Sequence, residues 1–146
     1  MTLVSIDTVG PVQLAMFARM ADDEQLRDLL EATEDDPRIF DAWAPGRAFE
    51  RYVNLGGFIE NPRNWHGGLG AETVAVVDVW VRAHTDGPGR SIVGRVKALF
   101  DHQPIDLGPG LDAVSVKHEQ TLDLRDPDPD LRRYQLRIRL TIEQEN

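Results

Sequence analysis

The feature that most constrains the fold is a strict alternation of apolar and polar side chains near the C-terminus. Five apolar side chains occupy every second position: Tyr134, Leu136, Ile138, Leu140 and Ile142. A period of two is typical of a β-strand with one buried and one solvated face. A slip of one residue would bury Arg137 and Arg139 instead, so the alternation also predicts which side of the strand meets the core.

Three further segments carry strand signals. A short strand is predicted at residues 38–41, ended by a turn at Ala44-Pro45-Gly46. A second is predicted at residues 52–59, where Gly56-Gly57 marks a bulge or bend. Residues 72–84 are rich in β-branched side chains on both faces, which indicates a central strand.

A loop and one more strand are predicted in the rest of the chain before the last strand. Residues 61–70 are rich in Gly, Asn and Pro and predict a loop, which carries Trp65 and His66. Residues 114–124 predict a long strand, with His118 and Gln120 in the same register as its apolar side chains. We expect those apolar side chains on one face of the strand: Val114, Val116, Leu122 and Leu124.

Helical spacing occurs in two main stretches. Residues 11–20 begin with Pro11, which suits the first turn of a helix, and residues 92–102 repeat apolar side chains at helical intervals. A shorter helix is predicted after Asp22 or Asp23. Together these patterns predict an α+β fold, with a mainly antiparallel sheet of four to five strands and two main helices packed on one face. Without a separating linker, residues 1–146 are interpreted as a single domain.

Charge and composition exclude several classes of protein. The chain has 25 acidic and 16 basic residues, a net charge of −9 that repels phosphate backbones and argues against a dedicated nucleic-acid-binding protein. Cysteine is absent, so disulfides, thiolate metal sites and a cysteine nucleophile are excluded. Neither a signal peptide nor a membrane-spanning apolar stretch is present, which predicts a protein made in a cytoplasm.

Two segments approach known ligand-binding motifs without completing them. Asp126, Asp128 and Asp130 have the spacing of an EF-hand loop, but Leu131 replaces the required glycine and Arg137 replaces the bidentate glutamate. Residues 89–94 have the glycine spacing of a phosphate-binding loop without its Lys and Ser/Thr. The four histidines have no metal-ligand spacing. We therefore expect no catalytic site, no cofactor and no metal.

Charge is segregated along the chain. Residues 22–41 contain nine acidic residues and two arginines, a local charge of −7 that indicates either a solvated surface or a surface for a partner. Five arginines surround the final hairpin: Arg125, Arg132, Arg133, Arg137 and Arg139. They either pair across strands with Asp126, Asp128, Asp130 and Glu143, or form a basic strip that meets the acidic segment of a neighbouring copy. Our interface candidates are Trp65, His66, Arg125, Arg132, Arg133, Asp35 and Asp36.

The order of several short motifs resembles the tail-terminator (tail-completion) family of long-tailed bacteriophages. The resemblance extends over residues 12–143, from an N-terminal helix to an alternating last strand. Its motifs are Ile39-Phe40-Asp41, Tyr52-Val53-Asn54-Leu55-Gly56, Asp78-Val79-Trp80-Val81, Ala98-Leu99-Phe100 and Arg125-Asp126-Pro127-Asp128.

This resemblance implies a structural virion protein, made in the host bacterial cytoplasm. Members of the family form a ring, usually of six subunits, that caps the tail tube, ends its polymerisation and joins the tail to the head. The implied partners are further copies of the chain, the tail tube protein and a head-completion or connector protein, with DNA passing through the lumen without specific binding. The alternatives are another neck component, such as a head-completion or adaptor subunit, or an unrelated small intracellular ligand-binding or enzymatic α+β domain.

Overall fold

A computed structural model describes residues 6–41 and 50–145 of the chain. In chain order its elements are α1 (Val9–Ala21), α2 (Glu24–Leu29), β1 (Ile39–Phe40), β2 (Arg51–Pro62), β3 (Gly70–Arg82), α3 (Gly87–Phe100), β4 (Leu111–Arg125) and β5 (Leu131–Gln144). The strands form one sheet in the order β1-β2-β3-β5-β4. Only the β1–β2 pair is parallel within this sheet. The predicted α+β class and the mainly antiparallel sheet are confirmed.

Strand β5 lies between β3 and β4 and carries the alternation that the sequence shows. All five of its predicted core side chains are at most 1% exposed. Arg137 and Arg139 project from the opposite face and are half-buried. The predicted register of this strand is therefore confirmed.

The helices pack their apolar sides on the same face of the sheet as these buried side chains. Helix α1 is tied to the sheet at its start, where the Thr8 and Thr73 hydroxyls are 2.6 Å apart and Glu60 accepts a hydrogen bond from the backbone N–H of Thr8. Helix α3 begins at Gly87, before the first apolar residue of its predicted stretch, because Pro88 occupies its first turn. Two main helices and the short α2 thus cover one face.

The single apolar face predicted for β4 is wrong. Bulges between Ala113 and Ser115 and between His118 and Gln120 each add a residue to the strand and shift the alternation of its side chains. As a result Val116 is buried, whereas Val114 and Leu122 are exposed.

The boundaries of the β2–β3 connection also differ from the prediction. Strand β2 continues to Pro62 and β3 begins at Gly70, so the loop predicted at residues 61–70 is a shorter turn between two long strands. The predicted irregularity at Gly56-Gly57 is confirmed as a register shift between Leu55 and Gly57. The turn predicted at Ala44-Pro45-Gly46 lies outside the described residues.

Candidate interaction surface

No described helix packs on the second face of the sheet, which we call the open face. One row of half-buried side chains crosses all five strands on it: Phe40, Tyr52, Trp80, Arg133 and Leu124. The Phe40 ring meets the Tyr52 ring edge-on, and Tyr52 stacks on Trp80 at 6.0 Å between centroids. The Arg133 guanidinium lies 4.9 Å from the centroid of the Trp80 ring. We call this set the aromatic row.

Beside the aromatic row lies a cleft of about 480 Å³, which we call the Asp78 cleft. Gly56 and Gly57 leave it open because neither has a side chain, and a Cβ at Gly56 would lie 2.5 Å from Oδ2 of Asp78. Asp78 is only 5% exposed, and its Oδ1 accepts hydrogen bonds from Arg133 Nε (3.1 Å) and Gln135 Nε2 (3.3 Å). Its buried charge is therefore compensated from β5.

Asn54 also lines the Asp78 cleft and is 5% exposed. Its Oδ1 atom is buried and accepts no hydrogen bond. Buried polar groups are nearly always paired, because leaving one unpaired forfeits its hydration without replacement. The cleft therefore contains an acceptor for which the described part of the chain supplies no donor.

A network of charges lies further along the open face. Glu72 accepts from Arg139 (2.8 Å) and Arg63 (3.2 Å), and Arg139 also pairs with Glu119. The network joins β3, β5 and β4, so Arg139 is not available as a free cation.

Arginines of the final hairpin form ion pairs, but Arg132, Arg133 and Arg139 pair with other acidic residues than Asp126, Asp128, Asp130 and Glu143, which the sequence suggested. Arg132 pairs with Asp86 (3.1 Å), and Arg133 pairs with Asp78 instead of an aspartate of the turn. The turn aspartates bind β3 and its C-terminal end: Arg82 pairs with Asp128 at 2.7 Å and His84 with Asp130 at 3.0 Å. The Arg82 hydrogen bond holds the pKa of Asp128 below its ordinary value.

Arg125 differs from these arginines. It lies directly opposite Arg132 at the end of the β4–β5 ladder, it is exposed, and no acceptor binds it among residues 6–41 and 50–145. Like charges that face each other across strands repel. Asp86 neutralises Arg132, and Arg125 keeps its charge free.

The remaining interface candidates lie on turns. Trp65, at the tip of the β2–β3 hairpin, is 47% exposed, and its ring packs on Gly68 and Gly70, where any added Cβ would clash with it. His66 is exposed beside it. Asp35 and Asp36 are exposed in the connection between α2 and β1, where the backbone N–H of Asp36 donates to the Thr33 hydroxyl at 3.2 Å.

Asp78 and Asn54 lie in motifs that carry the family resemblance, but they are not among the interface candidates that the sequence predicts. The available signal was a carboxylate between two valines in a central strand, since an ionised group there needs a partner. That partner is on β5, more than fifty residues away, and only the strand pairing reveals it. Within the described ranges, no group of His, Asp and Glu side chains could hold a metal, and no helix is long and apolar enough to cross a membrane.

Comparison with known proteins identifies the family. The model of the family described as "Tail completion protein gp17" matches residues 14–143. Among solved structures, a chain of the "Virion of native gene transfer agent (GTA) particle" shares the fold with a TM-score of 0.83 and 23% identity, over 95% of this chain and 99% of that chain. No curated protein matches. Because the family match extends over most of the chain, the protein belongs to the tail completion protein gp17 family and is a structural, non-enzymatic protein of the virion tail.

Proposed function

We propose that six copies of this protein form a closed ring on the end of the tail tube, where the ring ends tube polymerisation and joins the tail to the head. The observation that carries the proposal is the open face of the sheet, which retains a half-buried aromatic row and exposed Leu122 and Ile59 without a described helix over it. Exposed apolar surface of this kind marks a contact site in a protein that works within an assembly.

Both edges of the sheet support association between copies. At one edge, β4 pairs with no described strand other than β5, and its outer side is bonded at Val116 and His118 to residues 101 and 102 at the end of α3. At the other edge, β1 pairs with β2 at Val53 and Asn54, and no other described strand pairs with the outer edge of β2. A contact between two different edges of the sheet is heterologous, and such contacts close into rings when the rotation allows.

The proposed ring lets DNA pass without binding it specifically. Each copy carries a net charge of −9, so several copies around one axis repel phosphates. Arg132 and Arg133 at the final hairpin are held by Asp86 and Asp78, which supports the same conclusion. A lumen that does not attract the duplex allows the genome to slide during ejection.

In the same proposal, one side of the ring contacts the tail tube protein and the other contacts a head-completion or connector protein. The Trp65–His66 tip and the exposed pair Asp35 and Asp36 are the contact residues that we propose on turns. A rigid, half-exposed indole is the type of side chain that dominates binding energy at protein interfaces. We also propose that residues 1–146 form a single domain.

Deletion of the gene tests this role. Without the protein we expect tail tubes of uncontrolled length that do not join to heads, and wild-type protein added to the lysate should restore both properties. Heads that lose their DNA beside tails of normal length would instead assign the protein to the head side of the neck, as an adaptor.

A further inference from the structure

The Asp78 cleft has hydrogen-bond acceptors that bind no donor among residues 6–41 and 50–145. Asn54 Oδ1 is buried without a donor, and both hydrogen bonds to Asp78 reach Oδ1, so that its Oδ2 receives none from the described residues. Oδ2 lies against Gly56, where a Cβ would come within 2.5 Å of it, and the space beside the neighbouring Gly57 is open. Two acceptors of the cleft, Asn54 Oδ1 and Asp78 Oδ2, can therefore bind a group with several donors.

The net negative charge of the cleft favours binding of a cation. Two carboxylates line it, Asp41 and Asp78, against the single guanidinium of Arg133, which leaves one negative charge uncompensated. Asp41 is exposed and forms no ion pair within residues 6–41 and 50–145. A planar guanidinium satisfies carboxylate and amide oxygens with its fork of N–H donors.

Arg125 has the charge and the hydrogen-bond donors that the Asp78 cleft would bind. It is exposed, has no ion pair within residues 6–41 and 50–145, and ends β4 at a turn that is bound to β3 and its C-terminal end by the Arg82–Asp128 pair and by the backbone hydrogen bond from Ala83 N–H to Asp130 O (2.8 Å). Eleven other arginines of the described ranges donate to carboxylates or backbone carbonyls: Arg19, Arg27, Arg38, Arg51, Arg63, Arg82, Arg90, Arg95, Arg132, Arg133 and Arg139.

The two sites cannot meet within one chain. The cleft is lined by β2, β3 and β5, and its two acceptors lie on β2 (Asn54) and β3 (Asp78), which are three strands and two strands from β4 in the sheet order. With strands roughly 4.8 Å apart, Arg125 is about 14 Å from β2, beyond the reach of its side chain. A contact between the sites therefore joins two copies, and because the sites differ it is heterologous.

We infer that the Asp78 cleft binds the Arg125 guanidinium of the neighbouring copy, and that this contact sets the orientation of adjacent subunits. The inference rests on the proposed ring and specifies its interface. The guanidinium donates to Asn54 Oδ1 and to the unused oxygen of Asp78, with Asp41 adding long-range attraction. Assembly thus satisfies the acceptors that have no donor within the described residues of one copy.

A charge swap tests this contact. Arg125→Glu and Asp41→Arg each place like charges at the contact, and each should lower the affinity of the protein for isolated tail tubes at least tenfold. The double variant restores opposite charges and should recover affinity to within about threefold of wild type. Lys97→Glu, on an exposed face of α3, makes the same charge change as Arg125→Glu away from the cleft and should leave affinity unchanged. Circular dichroism and Tm confirm that each variant folds.

The readout is the number of tubes that carry a ring, counted by negative-stain electron microscopy across a protein titration. If wild-type protein forms rings and Arg125→Glu forms them equally well, the inferred contact is wrong and the proposed function stands. If wild-type protein forms no rings, the result contradicts the proposed function itself, and the inferred contact falls with it.

Asn54→Leu gives an independent test, because it removes the unpaired acceptor while keeping a side chain of similar size. The isolated variant should melt at or above the wild-type Tm, and its affinity for tubes should fall at least tenfold. A lower Tm combined with unchanged affinity would overturn the role of Asn54 in the contact.

Discussion

Asp23 links two helices through one carboxylate. It accepts the backbone N–H of Leu26 at the start of α2 (2.8 Å) and two hydrogen bonds from Arg95 on α3 (2.9 and 2.6 Å). The Arg95 hydrogen bond is the largest of the effects that hold the pKa of Asp23 below its ordinary value of 3.8. The stabilisation is complete above that ordinary value and is lost as pH falls through the lower folded-state pKa.

We therefore predict that Asp23→Asn lowers the free energy of unfolding at pH 7 by about 1–3 kcal/mol. The loss of stability between pH 7 and pH 3 should also be smaller in this variant than in wild type, because part of the titrating interaction is gone. Urea unfolding at both pH values measures this. Asp28→Asn, at an exposed position of the same helix, is the matched control and should change stability by less than about 0.5 kcal/mol.

Gly89 is a second residue that matters for packing, because it lets α3 lie against the Tyr134 ring on β5. Tyr134 is fully buried, its hydroxyl donates to Asp86 at 2.6 Å, and burial raises the pKa of that hydroxyl to about 12. A Cβ at Gly89 would overlap the Tyr134 ring, whereas a Cβ at Gly94 of the same helix meets no atom within 4 Å.

Gly89→Ala should therefore destabilise the protein by about 1–3 kcal/mol through overpacking. Gly94→Ala should stabilise it by up to about 1 kcal/mol, because alanine restricts the unfolded chain and suits a helix. The Tm values of the two variants, measured by thermal unfolding, test this prediction. Equal Tm values would show that α3 does not approach β5 as closely as the structure has it.

At the scale of elements, β5 is the strand around which the sheet is organised. Leu136 is fully buried beneath the helices and Arg137 is on the open face of the same strand. Leu136→Ala should cost roughly 2–5 kcal/mol by leaving a cavity, and Arg137→Ala should change stability by no more than about 0.5 kcal/mol. Equilibrium urea denaturation compares them, and equal costs would contradict the assignment of the two faces.

The contrast between β5 and β4 shows how far sequence alone reaches. An uninterrupted alternation of apolar and polar residues, as in β5, predicts which side chains are buried. In β4 two bulges interrupt the alternation of side chains. The local sequence does not predict them, because a bulge depends on how a strand pairs with its neighbour. The Asp78 cleft was not predictable for the same reason, since its members lie on β2, β3 and β5 and meet only after the register is fixed.

For the whole molecule, the net charge of −9 predicts weak contact with DNA. Titration of duplex DNA into the protein at low salt should give weak binding. Arg125→Glu should leave this result unchanged, because the inferred partner of Arg125 is a protein. Tight binding that weakens steeply with rising salt would show release of counterions from phosphates, and would contradict a lumen through which DNA slides.

The central claim is that copies of this chain form a ring between tail tube and head, and a cryo-electron microscopy map of the particle neck tests it most directly. We predict six copies in one closed ring on the last layer of the tube, with Arg125 of each copy at the Asp78 cleft of the next. A map with a single copy at the neck, or with a ring that touches only head proteins and no tube protein, would contradict the account.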